Sequence, residues 1–325
     1  MKDTYGREID CLRISTTDRC DLRCVYCMPA RGARFVPHAE LLAIDEIVEV
    51  VRFLAEHAGL RRVRITGGEP LVRPDLPDLV EKLAALPLED LALTTNGQLL
   101  APKAELLKSL GLRRVNISID SLERERFRSV VRGGELDRTL DGIAAADAAG
   151  LRPIKLNVVL LKGMNEEEIV DLVRYGLERE VEVRFLELMS IGVAASFHEA
   201  RFLSMDEALS ALRRVYRLEE LPRSPGATAV SFGVSNGNGL RGTLGFIAPV
   251  TRPFCTQCRR LRLSATGLLR GCLMNAGGVE IAPILRGSSA GDRRAALAEA
   301  LHRAILEKPW VSAMKTDVGM HTLGG

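Results

Sequence analysis

The chain has 325 residues, 46% of them hydrophobic and 27% charged, with a net charge of +3. That is enough for a sizeable core, and the charge is too small to imply a nucleic-acid or lipid partner. No run of eighteen apolar residues occurs, and "MKDTYGREIDCLRIS" lacks the apolar stretch of a secretion signal, so a cytoplasmic, thiol-reducing setting is expected.

From residue 10 to about 190, short runs rich in Val and Ile alternate with amphipathic segments. "RVRIT" (62–66), "LALTT" (91–95), "RVNISI" (114–119), "PIKLNVVL" (153–160) and "VEVRFLEL" (181–188) read as strands. In "IDEIVEVVRFLAEHAG", Ile47, Val50, Val51 and Leu54 follow helical spacing and Gly59 supplies a stop; "ELDRTLDGIAAADAAG" repeats the scheme. The alternation implies βαβ units around a parallel sheet. About six units fit, fewer than a closed barrel of eight, so the expected fold is α/β, an open partial (βα)6 barrel with ligands at the carboxyl ends of its strands. After residue 220 the chain is dense in Pro, Gly, Ser and Asn, and a helix follows near 291–307 with Leu297, Leu301 and Ile305 at core spacing. The expected division is a barrel over 1–220 and a smaller C-terminal module over 221–325.

Seven cysteines in a reducing compartment point to metal or catalysis rather than disulfides. Six form two triplets: Cys20, Cys24 and Cys27 in "CDLRCVYC", and Cys255 and Cys258 in "CTQC" with Cys272 beyond. Cys11, in an apolar run, reads as a buried inert thiol. A structural zinc site needs four protein ligands, and each triplet offers three; a zinc site drawing on both triplets stays open on spacing alone. An iron–sulfur cluster on three thiolates would leave one iron free for a small molecule. In "RITGGEPLVR", Gly67 and Gly68 would admit a close backbone approach by a ligand, and Glu69 would pair with an ammonium group. In "RRLRL", alternation puts Arg260 and Arg262 on one strand face, and Lys155 lies inside an apolar strand where an unpaired ammonium is costly.

The spacing C-x3-C-x2-C, with Tyr26 before the third cysteine, resembles the signature of radical S-adenosylmethionine enzymes, and the strand followed by "GGEP" resembles their methionine-binding loop. "FCTQCRRLRLSATGLLRGCL" is similar to the C-terminal motif of the GTP 3′,8-cyclase family. "LRISTTDRC", "TTNG", "NISIDSL", "PIKLNVVL", "RFLELMSIG" and the closing "GG" extend the likeness over nearly the whole chain. The resemblance implies two [4Fe–4S] clusters, one per cysteine triplet, with S-adenosylmethionine on the first and guanine on the second. It implies Tyr26, Gly68, Ser118 and Met189 for S-adenosylmethionine, and Arg13, Arg64, Thr95, Lys155, Arg260, Leu261 and Arg262 for GTP. Thr94 and Thr95 are not separable on physical grounds; alignment by spacing favours Thr95. GTP carries about four negative charges, which arginine forks suit.

The implied reaction takes a hydrogen from C3′ of the ribose and joins C3′ to C8 of guanine. The product, 3′,8-cyclo-7,8-dihydroguanosine triphosphate, would pass to cyclic pyranopterin monophosphate synthase in molybdenum cofactor synthesis. An electron donor and a homodimer are also implied, and Gly324 and Gly325 are implied to reach the active site. Two departures from the family pattern are Arg259 straight after Cys258, expected to add a cation near the second cluster, and a missing histidine after "KP". A radical enzyme acting on a peptide and a zinc-stabilised binding module are the rival readings. With one Trp, four Tyr and nine Phe, the chain offers a poor stacking surface for nucleic acid.

Overall fold

The structure is a computed structural model that describes residues 1–31, 33–237, 239–274, 277–287, 289–312 and 315–316. Six parallel strands alternate with helices. They are β1 (Cys11–Ser15), α1 (Ile44–Ala58), β2 (Arg62–Thr66), α2 (Leu76–Ala84), β3 (Asp90–Thr95), α3 (Ala104–Ser109) and β4 (Arg114–Ser118), then α4 (Arg124–Val131), α5 (Leu136–Ala148), β5 (Lys155–Val159), α6 (Ile169–Glu178) and β6 (Glu182–Leu186). Helix α1 buries the four residues whose spacing predicts it and stops at Gly59, whose φ of 67° suits a residue without Cβ.

The rest of the chain builds both edges of the same sheet. After β7 (Ser190–Ile191), α7 (His198–Arg201) and α8 (Met205–Leu212) come β8 (Arg217–Glu220), β9 (Val230–Ser235) and β10 (Arg241–Ile247). Then follow β11 (Arg260–Leu263), β12 (Leu268–Arg270), β13 (Val279–Glu280), α9 (Ala282–Gly287), α10 (Ala290–Leu306) and β14 (Lys315–Thr316), which pairs with β7. The main sheet runs β13-β12-β11-β1-β2-β3-β4-β5-β6-β10-β9-β8. Strand β11 lies parallel to β1, and β10 parallel to β6, so the region beyond residue 220 flanks the barrel strands on both sides. The sheet is open: among the described residues no pairing joins β13 to β8.

The strands are amphipathic in an unusual sense. One face carries Leu12, Ile14, Val63, Ile65, Leu91, Leu93, Val115, Ile117, Leu156 and Val158, all buried in the main apolar core. The alternate positions hold Arg13, Arg64, Arg114, Asn116, Lys155, Asn157, Glu182 and Arg184. A barrel interior is ordinarily filled with branched apolar side chains. A polar, mostly cationic one calls for a guest.

Candidate active site

Arg13, Arg64, Asn116, Asn157 and Arg184 of the polar face line a cavity of about 310 Å³ that touches all six triplet cysteines. Cys20, Cys24 and Cys27 follow β1 on a loop held to the end of α4 by Arg23 N donating to Val131 O (2.9 Å) and Val25 N to Val130 O (2.9 Å). Cys255 and Cys258 sit on a turn leading into β11, and Cys272 follows β12. The pairing of β11 with β1 therefore brings two cysteine sets, more than 200 residues apart in sequence, to one cavity. Cys11 is buried, as expected.

The glycines of "GGEP" pack tightly against neighbouring backbone. A Cβ on Gly68 would stand 2.3 Å from Arg19 O, and one on Gly67 would stand 2.7 Å from Thr17 O. The close approach they permit is to the backbone leading into the first cysteine set, and both glycines also border the cavity. Gly68 N donates to Thr17 O and Glu69 N to Arg19 O, at 2.6 and 2.8 Å. Glu69, 1% exposed, accepts from Leu71 N (3.0 Å), Thr95 Oγ1 (2.8 Å) and Asn96 N (2.7 Å). Burial nevertheless pushes its carboxyl up to about 7. Tyr26 donates to Asp120 Oδ2 at 2.7 Å, and burial likewise raises Asp120 to about 6. Ser118 and Met189 both line the cavity.

The register places cations side by side. Arg262 of β11 is level with Arg13 of β1, and Arg13 with Arg64 of β2. Adjacent strands are about 4.8 Å apart, so three guanidiniums start from neighbouring positions on one face. Burial, compounded by their neighbours' charge, lowers all three: Arg262 and Arg64 to about 10, and Arg13 well below its usual value. Arg260 lies nearby with its guanidinium carbon 4.7 Å from the Phe254 ring centroid. All four line the cavity. Leu261, on the opposite face of β11, is buried in the apolar core.

The costly ammonium of Lys155 has an anion partner within the protein: its Nζ lies 2.7 Å from Glu182 Oε2 on the next strand, and Glu182 also takes Arg184 Nε at 2.6 Å. Lys155 is not among the cavity-lining residues, whereas Arg184, Asn116 and Asn157 are. Those three were missed, although alternation in "PIKLN" and "VEVRF" puts Asn157 and Arg184 on the faces of Lys155 and Glu182. The register also separates the two threonines. Thr94 is level with Asn116, whose amide donates to it at 3.3 Å, while the Thr95 hydroxyl is committed to Glu69. Both line the cavity.

Arg259 does not add a cation to the second cysteine set. Its guanidinium turns away to Asp10, with Nε 3.0 Å from Oδ1 and Nη2 2.6 Å from Oδ2, and to Glu8. At the place of the missing histidine, Trp310 packs on Tyr5, ring centroids 5.3 Å apart. Gly324 and Gly325 lie outside the described residues.

The donor set fits iron–sulfur ligation. Burial holds the Cys20 and Cys24 thiols well above their usual range, so thiolates there need a positive centre to neutralise them. Burial would also raise Cys258, but Arg260 and Lys308 outweigh it and bring that thiol down to about 6. Among the described residues no three His, Cys, Asp or Glu side chains converge closely enough for a single metal ion. Ligands around a cluster of several irons stand further apart.

Comparison with known proteins decides the family. Residues 14–176 match the radical SAM superfamily, and residues 181–314 match the family described as Molybdenum Cofactor Synthesis C. The GTP 3′,8-cyclase of Listeria welshimeri is 46% identical over 84% of this chain and 82% of its own. That of Moorella thermoacetica is 45% identical over 95% and 94%. The chain belongs to the GTP 3′,8-cyclase family. The family includes the Rhodopirellula baltica enzyme, 40% identical over the whole of this chain and 92% of its own. Among solved structures, Streptococcus suis SuiB shares the fold at 15% identity, with a TM-score of 0.61 over 94% of this chain and 67% of its own. No described helix is long and apolar enough to cross a membrane.

Proposed function

We propose that this chain is a lyase that converts GTP to (8S)-3′,8-cyclo-7,8-dihydroguanosine 5′-triphosphate, the first step of molybdenum cofactor biosynthesis, and that its product is the substrate of cyclic pyranopterin monophosphate synthase. The supporting observation is the row of Arg262, Arg13 and Arg64 between two cysteine sets on one cavity. A single-cluster enzyme acting on a neutral substrate has no use for that row.

Cys20, Cys24 and Cys27 would hold a [4Fe–4S] cluster, and Cys255, Cys258 and Cys272 a second. The chemistry the first would supply, with S-adenosylmethionine bound, is one-electron reductive cleavage of the sulfonium. The chain's own residues hold and shield. Glu69 receives the ammonium of the methionine moiety, and Ser118, Met189, Gly68 and Tyr26 border the rest of it. The arginine row takes the triphosphate, where guanidinium forks match the oxygens and the anion relieves their mutual repulsion. Thr94, Asn116 and Arg184 face the same space and extend the polar contacts. Fixing the ribose between the two sets converts an encounter into an oriented, unimolecular step, and the apolar walls at Leu22, Leu186 and Phe254 keep water from it.

The test is anaerobic turnover of reconstituted protein with GTP, S-adenosylmethionine and a reductant. 5′-Deoxyadenosine and a cyclised nucleotide should appear together. If 5′-deoxyadenosine forms at the same rate with GTP omitted and GTP stays unchanged, the proposal fails.

A further inference from the structure

One buried ammonium group is unaccounted for by the reaction. Lys308, in the segment after α10, is 2% exposed, and its Nζ lies 3.3 Å from Cys258 Sγ, 2.9 Å from Arg260 O and 2.6 Å from Gly271 O. An ammonium has three donors, and these contacts use all three. Two of the acceptors are backbone carbonyls flanking the second cysteine set: Arg260 is two residues after Cys258, and Gly271 immediately precedes Cys272. The third is a cysteine sulfur itself.

The approach is built into the fold. A Cβ on Gly271 would stand 2.4 Å from Ala304 O and 2.9 Å from Lys308 Cβ, so only glycine lets the Cys272 limb lie this close to the end of α10. The backbone around Lys308 is fixed by Arg7, whose Nη2 donates to Pro309 O at 2.9 Å and whose Nη1 donates to Cys255 O at 2.7 Å. Asp3 balances Arg7 through a 2.6 Å contact to its Nε. Arg7 thus ties the first cysteine of the set to the Lys308 segment, and Lys308 ties the other two limbs together.

We propose that Lys308 is a positioning residue for the second cysteine set, bracing its two limbs and setting the electrostatics of the group they hold. This rests on reading Cys255, Cys258 and Cys272 as cluster ligands. A cation donating an N–H to a ligating sulfur stabilises the more negative, reduced cluster and raises its potential. Its three donors are spent on the cysteine set, so it acts through the cysteines.

The experiment uses the full chain with Cys20, Cys24 and Cys27 changed to Ser, so that only the second set can bind iron. Lys308→Met, Lys308→Gln and Lys308→Arg are compared after anaerobic reconstitution, by iron and sulfide content and by a redox titration followed by electron paramagnetic resonance. Lys308→Met and Lys308→Gln should retain the cluster with its midpoint moved to more negative potential, and Lys308→Arg should lie nearest the parent. An unchanged midpoint in both uncharged variants overturns the proposal. So does a loss of GTP affinity in the full-cysteine protein with the midpoint unmoved, because Lys308 would then be a substrate contact. If the uncharged variants lose iron, the same substitutions in the full-cysteine protein decide: loss confined to the second set supports the brace, and loss of both clusters or of the fold refutes it. A parent protein that binds iron at the first set alone refutes the two-cluster reading, and the proposal with it.

Discussion

Replacing Arg262 by Met separates a residue that holds the protein together from one that holds its substrate. Arg262 is 9% exposed, and burial, reinforced by the charge of Arg260, lowers it from the usual arginine range to about 10. A base with a depressed folded value is charged in both states below about pH 10, so the penalty is fully present at neutral pH and is relieved only as pH rises through 10 towards the usual arginine range. At about 1.4 kcal/mol per pH unit, the folded protein carries a cost of about 3 kcal/mol at this one side chain. Met keeps much of the stem's apolar packing and removes the charge. Lost hydrogen bonds return about 1–2 kcal/mol of that gain. The ligand-free protein should therefore be as stable as the parent or about 1–2 kcal/mol more so.

GTP binding should move the other way. Removing one cation from a desolvated charge pair costs about 2–5 kcal/mol, which is roughly 30- to 5,000-fold in affinity. Guanosine lacks the triphosphate and should bind the variant nearly as it binds the parent. Urea unfolding of the ligand-free protein and calorimetry with GTP and guanosine read the two effects independently. A variant that loses more than about 2 kcal/mol of stability, while its preference for GTP over guanosine is unchanged, would show the arginine row to be architecture.

Four further outcomes follow from the same geometry. Lys155→Met leaves Glu182 paired with Arg184, so it should cost about 1–3 kcal/mol of stability and change GTP affinity less than about tenfold, well short of Arg262→Met. Gly68→Ala forces a Cβ onto Arg19 O; it should destabilise by about 1–3 kcal/mol and lower iron at the first cysteine set while sparing the second. Glu69, at about 7 in the free protein, must be ionised to pair with the ammonium of S-adenosylmethionine. Affinity for that ligand should therefore fall towards tenfold per pH unit below about 7 and be nearly flat in Glu69→Gln, as measured by equilibrium binding across pH. Deleting Gly324 and Gly325 should abolish the cyclised product while iron content stays at the parent level; normal turnover would remove the tail from the mechanism.

Much of the site was legible because its chemistry is local. Cysteine spacing, the "GGEP" turn and the alternation in "RRLRL" each lie within one short stretch, and helix α1 follows from its four core positions and its terminal glycine. What escaped was set by which strand lies beside which. Nothing near Lys155 announces Glu182, which is level with it only through the pairing of β5 with β6. The packing of Gly67 and Gly68 against the loop after β1, some fifty residues earlier, and the turn of Arg259 towards Asp10 depend on which strands lie side by side.

The same pairing explains why the site exists at all. A parallel sheet of six strands ends at β1 with an unpaired edge, and the first cysteine set leaves that edge at its carboxyl end. Adding β11 satisfies the edge with backbone hydrogen bonds. It also fixes the register so that Arg262 meets Arg13 and the turn bearing Cys255 and Cys258 lies across the cavity from Cys20. Edge protection and site assembly are one structural event. A strand slipped by a single residue would turn Arg262 into the apolar core and Leu261 into the cavity. The burial of Leu261 and Leu263 thus holds the arginines in place, and the stability lost to like charges on one face is offset by apolar contact on the other.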